Sequence, residues 1–123
     1  MGKLKYEDLT YKLRGAVFEV YNTLGPGFKE TVYHNSLREE LDKRKIKHDE
    51  KKRIKIAYKG NQVGIYEPDF IVEDKVIVEV KAVDIMPKAF EKQLYSYLKA
   101  TQYKVGILVN FGADKLDIRR RIY

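Results

Sequence analysis

Two stretches in the first third of the chain repeat apolar residues every three or four positions, which is the spacing of one helix face. The first predicts an amphipathic helix over residues 7–23, which ends at the Gly-Pro-Gly sequence of residues 25–27. The second predicts a helix over residues 29–44, with Tyr33, Leu37 and Leu41 on one stripe. Two helices that each bury one face are therefore expected ahead of the first strand.

After residue 50 the pattern changes to an alternation of apolar and polar residues, which is typical of β-strands. A hairpin is predicted from a strand at residues 54–58, a turn at residues 59–61 and a second strand that continues through residues 63–72. A further turn at residues 73–75 precedes the nearly continuous aliphatic strand 76–81. Such a strand is expected inside a sheet that is covered on both faces.

A third helix is predicted after Pro87, where apolar residues return to helical spacing. Its stripe contains Phe90, Gln93, Leu94, Tyr97 and Leu98. A strand at residues 105–110 and an edge strand at residues 116–122 follow, and the third strand, third helix and fourth strand are predicted to form a crossover unit. The predicted order is ααβββαββ, an α/β fold with a mixed central sheet flanked by helices.

Composition limits the class of protein. The 123 residues, 44% of them hydrophobic, supply one core, so a single domain over residues 1–123 is expected. The sequence contains no cysteine, which excludes disulfides and thiolate zinc sites. Apolar runs are short, and the N-terminal Met-Gly-Lys-Leu-Lys lacks the apolar segment of a secretory signal. A soluble, cytoplasmic protein without a membrane partner is expected.

The net charge of +7 is unevenly placed. Residues 49–84 carry 7 basic and 8 acidic groups, whereas residues 85–123 carry 8 and 3. An acidic centre beside basic ends is typical of a cation site with a phosphate-binding rim, although lysine-rich surfaces also keep small domains soluble. Six cations are candidates for contact with a nucleic-acid backbone, and only their clustering is informative. They are Lys88, Lys92, Lys99, Arg119, Arg120 and Arg121.

Two carboxylates are expected to face each other in the aliphatic strand region. If the turn after Val72 has three residues, Asp69 lies opposite Glu79, and Lys81 shares the sheet face of Glu79. Like charges across a ladder are destabilising unless a cation lies between them. Mg²⁺ held by Asp69, Glu79 and the Val80 carbonyl would resolve this conflict and support phosphodiester hydrolysis, with Lys81 assisting the attacking water. The alternative is an ordinary surface salt bridge.

Helical spacing also directs two polar residues inward. Glu30 shares a stripe with Tyr33, and Gln93 shares one with Tyr97. Glu30 is either an acidic group favoured at a helix N-terminus or part of the site. Gln93 and Tyr97 are either a buried hydrogen-bonded pair or groups that hold the attacking water or the Lys81 amine. The two histidines, at positions 34 and 48, have no ligand-like spacing and are predicted to lie on the surface.

Several separated motifs together resemble the GxxExxY family of the PD-(D/E)XK nuclease superfamily. They are Gly27-Phe28-Lys29-Glu30-Thr31-Val32-Tyr33, Pro68-Asp69, Glu79-Val80-Lys81, Gln93 to Tyr97 and Val105 to Gly112. The resemblance covers about residues 9–122 and implies a restriction-endonuclease-like core with Asp69 and Glu79 as metal ligands and Lys81 as the catalytic lysine. By analogy with RecB-like members, it also implies that Glu30, as a further ligand, and Gln93 and Tyr97 complete the site.

These observations support two functional hypotheses. The first is a Mg²⁺- or Mn²⁺-dependent nuclease, for which DNA is the expected substrate in preference to RNA as the alternative. Because no separate specificity region is recognisable, action as a homodimer, or on ends or branched structures, is compatible with the size of the chain. The second is a catalytically silent module that keeps the nuclease fold and binds nucleic acid or a protein partner. The intact Asp69, Glu79 and Lys81 set favours the first.

Overall fold

The computed structural model describes residues 6–123, so the N-terminal segment discussed above lies outside the described residues. The helices are α1 (Glu7–Leu24), α2 (Glu30–Lys43) and α3 (Lys88–Ala100). The strands are β1 (His48–Glu50), β2 (Ile54–Tyr58), β3 (Asn61–Tyr66), β4 (Phe70–Val72), β5 (Val76–Lys81), β6 (Val105–Asn110) and β7 (Asp117–Ile122). No helix among residues 6–123 is long and apolar enough to cross a membrane.

A five-stranded sheet in the order β1-β4-β5-β6-β7 forms the centre of the fold. Alternate side chains of the inner strands point to opposite faces, and both faces are apolar. Helices α1 and α2 cover one face with residues such as Leu13 and Leu37. Helix α3 and the β2–β3 hairpin cover the other, with Leu94 and Tyr66 in its core. The predicted mixed sheet between helices is confirmed.

The strand pairing that aligns the site agrees with the sequence. Val72 pairs with Val76 across a three-residue turn, and Phe70 pairs with Val78. Strands β5 and β6 are parallel and joined through α3, which confirms the predicted crossover unit. Strand β7 lies at the sheet edge, as predicted. The central pair β5–β6 therefore fixes the position of the Glu-Val-Lys segment.

The predicted number of strands before α3 is wrong, because there are five instead of three. Strand β1 was not predicted, since its three polar residues show no apolar alternation. The predicted second strand over residues 63–72 is divided into β3 and β4 by residues 67–69. Pro68 has no N–H to donate to a ladder, which explains the break. Strands β2 and β3 form a separate two-stranded sheet.

Candidate active site

Asp69, directly before the first residue of β4, lies beside Glu79 near the end of β5. Extending the register by one pair from Phe70 and Val78 places them opposite each other, as predicted. The Val80 N–H donates to Asp69 Oδ2 over 2.7 Å, and the Asp69 N–H lies 3.4 Å from Glu79 Oε1. The Asp69 side chain thus accepts a backbone hydrogen bond from β5 beyond the last residue pair of the β4–β5 ladder.

The Val80 backbone faces the same edge. Lys81 offers its carbonyl to Phe111 N on the β6 side over 2.9 Å, whereas the Val80 N–H points to Asp69. Because the N–H and C=O of one strand residue share an edge, the Val80 carbonyl also points towards the Asp69 side. Two carboxylates and one backbone carbonyl therefore converge at the end of the hairpin.

Glu79 lies among groups that change the pKa of its carboxyl. Burial is the largest influence and raises its pKa to about 7, a hydrogen bond from Tyr66 opposes the rise, and the nearby Asp69 charge adds to it. The Tyr66 hydroxyl donates to Glu79 Oε2, and burial together with the Glu79 charge raises the Tyr66 pKa above its usual range. The Tyr66 ring stacks on Tyr97 at 3.8 Å between centroids. Tyr66 was missed by the sequence analysis.

Lys81 and Glu30 approach the carboxylates from two sides. The Lys81 ammonium lies 4.5 Å from the centre of the Phe90 ring, on the same strand face as Glu79. Glu30, the first residue of α2, is solvent-exposed, in contrast to the predicted inward position. Partial burial and the Asp69 charge nevertheless raise its pKa, while Lys81 acts to lower it. Glu30 is thus close enough to Asp69 and Lys81 for their charges to change its pKa.

His34 corrects the prediction of a surface histidine, since it is only 6% exposed. Its Nδ1 lies 3.2 Å from Asp69 Oδ1, and its Nε2 lies 2.5 Å from Glu50 Oε2. The ring also stacks on Phe70 with centroids 4.5 Å apart. The spacing of four residues from Glu30 was the available signal, because positions i and i+4 share one face of a helix.

His48 is also not a surface residue, because its side chain is only 10% exposed. Its Nδ1 contacts the Ile46 carbonyl over 2.9 Å, and its Nε2 lies 3.5 Å from Asp42. These contacts join the end of α2 to β1. The prediction for His48 is therefore wrong, and the residue has a structural position away from the carboxylate pair.

The buried face of α3 is shifted relative to the predicted one. Its buried residues are Glu91, Leu94 and Leu98, whereas Gln93 is exposed and forms no side-chain hydrogen bond within the described part of the chain. The predicted inward position of Gln93 is therefore wrong, and of the two alternatives the buried hydrogen-bonded pair with Tyr97 is not formed. Tyr97 is half-buried and reaches the site through its stack on Tyr66. Helical spacing leaves Gln93 on the flank that faces the site.

The proposed nucleic-acid cations lie on the opposite flank of α3 and on β7. Lys88, Lys92 and Arg121 line a groove of about 530 Å³ together with Tyr95. Arg119 and Arg121 both bind the buried Glu91. The other two cations are the exposed Lys99 of α3 and the half-buried Arg120 of β7. The arginine run thus connects β7 to α3 in addition to any role in binding.

The donor set fits a hard divalent ion. Among residues 6–123, no three carboxylate or imidazole side chains form a cluster that could hold a metal ion alone. Asp69, Glu79 and the Val80 carbonyl would therefore need water to complete a coordination shell, which suits Mg²⁺ because it retains several waters. Burial is the main cause of the raised pKa of Glu79 and the Asp69 charge adds to it, so a cation at this position would favour the charged carboxylate.

Comparison with known proteins gives both a family and a fold. A sequence model described as the PD-(D/E)XK nuclease superfamily matches residues 7–121. The crystal structure of SSO0001 is similar with a TM-score of 0.56 at 20% identity, covering 95% of this chain and 59% of that one. An alkaline exonuclease, LHK-Exo from Laribacter hongkongensis, is similar with a TM-score of 0.53 at 12% identity, covering 98% and 72%. No curated protein sequence matches.

These likenesses confirm the predicted fold class. At 20% and 12% identity they concern the fold alone. The chain spans 59% of the length of SSO0001, which is less than two thirds.

Proposed function

Since the chain belongs to the PD-(D/E)XK nuclease superfamily, we propose that it is a metal-dependent phosphodiesterase that hydrolyses DNA. One observation carries the proposal. The Asp69 and Glu79 carboxylates meet at the end of one hairpin, with Lys81 on the face of Glu79. Two carboxylates in contact are costly for folding, and a bound cation removes that cost. The motifs around Gly27, Glu30 and Tyr33 support assignment to the GxxExxY branch.

Asp69, Glu79 and the Val80 carbonyl would hold Mg²⁺ or Mn²⁺. A bound ion of this kind acidifies water and neutralises charge that develops on phosphate. The Lys81 ammonium orients the attacking water and stabilises the phosphorane-like anion. The exposed Glu30 and Gln93 side chains would contact the attacking water or the phosphate. Tyr97 holds Tyr66, which in turn holds the Glu79 carboxylate.

The substrate backbone is expected to contact the cations of α3 and β7 named above. DNA is favoured over RNA, and a homodimer would add further contacts to the substrate. A second candidate function, binding without cleavage, is favoured by one observation. Both oxygens of Asp69 are already engaged, Oδ1 by His34 and Oδ2 by the Val80 N–H. A carboxylate oxygen retains a second lone pair, so ligation of a metal is still open to it.

The test is cleavage of labelled single-stranded, duplex and branched DNA, and of RNA, with Mg²⁺, Mn²⁺ or EDTA. Asp69→Asn, Glu79→Gln and Lys81→Met are each expected to lower the cleavage rate at least 100-fold, because each removes a charge from the site. The turn at the other end of the hairpin contains the same residue types. Asp74→Asn, Glu73→Gln and Lys75→Met are therefore matched controls and should retain activity.

Cleavage that survives EDTA, or that is equally weakened by the turn variants, would reject the proposed site. Binding of DNA without cleavage under every metal condition would instead support the silent module.

A further inference from the structure

The β2–β3 hairpin and the segment before it form a strongly basic surface. Residues 51–66, here called the basic arm, contain five cations and no acidic residue. These cations are Lys51, Lys52, Arg53, Lys55 and Lys59. The charge of the arm is not apparent from the net charge of the whole segment, because residues 49–84 carry 7 basic and 8 acidic groups, a net charge of −1. Its charge of +5 is therefore concentrated within an otherwise acidic segment.

Both ends of the basic arm are attached to the candidate site. At its start, the Lys51 N–H donates to the Asp69 carbonyl over 3.1 Å. The Lys51 ammonium is also among the charges that oppose the raised pKa of Glu30. At its end, the Tyr66 hydroxyl donates to Glu79 Oε2. A nucleic-acid strand lying along the arm would therefore pass directly beside the Asp69 and Glu79 carboxylates.

The cations of the arm are largely available to a ligand. Arg53 pairs with Glu67 over 3.1 Å, but none of the four lysines forms an ion pair with a carboxylate among residues 6–123. Ile54 and Ile56 pack towards α3, which leaves Lys55 exposed on the outer face of β2. Unpaired ammonium groups concentrated in one short segment repel one another, and a bound polyanion reduces that repulsion.

An exposed aromatic ring adds a second kind of contact. Tyr58, at the tip of the arm, is 61% exposed, and the Lys59 ammonium lies 5.4 Å from its ring centre. Aromatic rings interleaved with cations are typical of surfaces on which bases stack while phosphates bind the charges. By contrast, Arg119 and Arg121 already bind Glu91 on the far flank of α3.

We propose that the basic arm binds the phosphate backbone of the nucleic-acid strand that passes the candidate site. The choice of ligand rests on the proposed function, whereas the contacts of the arm do not require cleavage. Lys52, Lys55 and Lys59 bind successive phosphates, and Tyr58 supports a base at the tip. The arm delivers the strand to the carboxylates through its two attachments, at Asp69 and Glu79.

The experiment measures binding separately from cleavage. Fluorescence anisotropy with labelled single-stranded and duplex DNA is recorded in EDTA over a series of salt concentrations. The arm variant changes Lys52, Lys55 and Lys59 to Gln. The control changes Lys12, Lys45 and Lys75 to Gln, because these exposed lysines line a cavity of about 760 Å³ at the other end of β5 and give the same change in net charge. A second arm variant, with the same three lysines changed to Arg, retains the charge.

The arm variant is expected to lower affinity at least 10-fold at about 0.1 M salt. It should also reduce the slope of log K against log salt by about 2, since three phosphate contacts on a single strand are lost. The control should change both quantities much less, and the Arg variant should bind like the wild type. Thermal melts establish that all variants are folded.

Equal losses in the arm variant and the control would overturn the inference, because the effect would then be one of net charge. So would the absence of DNA binding by the wild type, or displacement of DNA by polyglutamate at an equal charge concentration, which would indicate an acidic protein partner. Failure of the proposed function is distinguishable. A wild type that binds through the arm but cleaves nothing with Mg²⁺ or Mn²⁺ retains the inference and rejects the nuclease.

Discussion

Asp69 holds three parts of the molecule together at the scale of a single residue. Its Oδ1 faces His34 of α2, its Oδ2 accepts the Val80 N–H of β5, and its backbone carbonyl accepts the N–H of Lys51. The other ring nitrogen of His34, Nε2, lies 2.5 Å from Glu50 Oε2. His34 therefore positions Asp69 and links it to a second carboxylate.

His34→Gln is expected to destabilise the protein by about 1–3 kcal/mol, because two carboxylates lose a buried partner. It should also weaken Mn²⁺ binding, since Asp69 Oδ1 is no longer fixed. Urea denaturation and calorimetric titration with Mn²⁺ measure the two effects. His48→Gln is the matched control, and it should lose stability without a change in Mn²⁺ affinity. Equal Mn²⁺ affinities in both variants would contradict the positioning role of His34.

Tyr66→Phe is expected to raise the pKa of Glu79 above about 7. The hydroxyl hydrogen bond stabilises the charged carboxylate, so its removal favours the protonated form. The stack on Tyr97 needs only the ring and should persist. NMR titration of ¹³C-labelled glutamate carboxyl groups in EDTA measures the change. Tyr103→Phe, which removes a hydroxyl bonded to Asp74, serves as the control, and a Glu79 pKa that does not rise would refute the effect.

The sequence reveals the pairing of Asp69 with Glu79 because one short turn sets the register between them. It does not reveal the partners of these carboxylates. Tyr66 contacts Glu79 from the separate β2–β3 hairpin, and His34 contacts Asp69 from α2, 35 residues earlier in the chain. Both contacts therefore depend on tertiary packing. Gln93 failed for a related reason. Glu91, held by two arginines of β7, shares the buried side of α3 with Leu94 and Leu98, and Gln93 is left exposed.

At the scale of elements, the segment after β5 is fixed by a side chain of β6. Asn110 is fully buried, and its Oδ1 accepts the N–H groups of Val83 and Gly112, each over 3.0 Å. Its amide donates to the Val83 carbonyl over 2.9 Å. Gly112 has no room for a side chain, because an added Cβ would lie 2.5 Å from the Ala82 carbonyl carbon. The strand end that presents Lys81 is thus held rigidly.

Asn110→Ala is expected to destabilise the protein by about 2–4 kcal/mol, because three partly buried backbone groups lose their partner. Chemical denaturation measures this loss. Asn22→Ala, on the exposed side of α1, should change stability by less than about 0.5 kcal/mol. A similar loss of stability in both variants would show that the hydrogen bonds of Asn110 do not specifically hold the segment after β5.

Elements with strong periodicity were predicted closely. Helix α1 and strand β6 differ from their predicted ranges by at most one residue. Strand β1 escaped prediction because an edge strand of three polar residues is defined by its ladder with β4 and not by burial. The break at Pro68 could have been predicted, since proline is poorly tolerated within a paired strand.

At the scale of the whole molecule, stability depends on pH through the site. The pKa of Glu79 is raised from 4.5 to about 7, and that of Glu30 is raised as well. A carboxyl group with a raised pKa in the folded state favours folding while it is protonated. Its contribution is lost as pH rises from about 4.5 through about 7. The protein without bound cations is therefore expected to be less stable at pH 8 than at pH 5.

Glu79→Gln should remove most of this dependence. In EDTA at pH 8 the variant is expected to be more stable than the wild type by about 3 kcal/mol, and at pH 5 the two should be similar. Thermal melts at both pH values measure the difference. Glu73→Gln, in the turn of the same hairpin, should not show it. A stability difference for Glu79→Gln that is the same at pH 5 and pH 8 would contradict the raised pKa.

The separation of the β2–β3 hairpin from the main sheet leaves its exposed tip free to vary, whereas Tyr66 at its base stays bound to Glu79. Within residues 6–123, β2 and β3 pair with each other and with no strand of the five-stranded sheet. Lengthening or exchanging the loop at Lys59 and Gly60 leaves the register of β4 and β5 intact. Under the proposed role of the basic arm, variation of this tip would change target preference, and a grafted tip would do so without rebuilding the hairpin that carries Asp69 and Glu79.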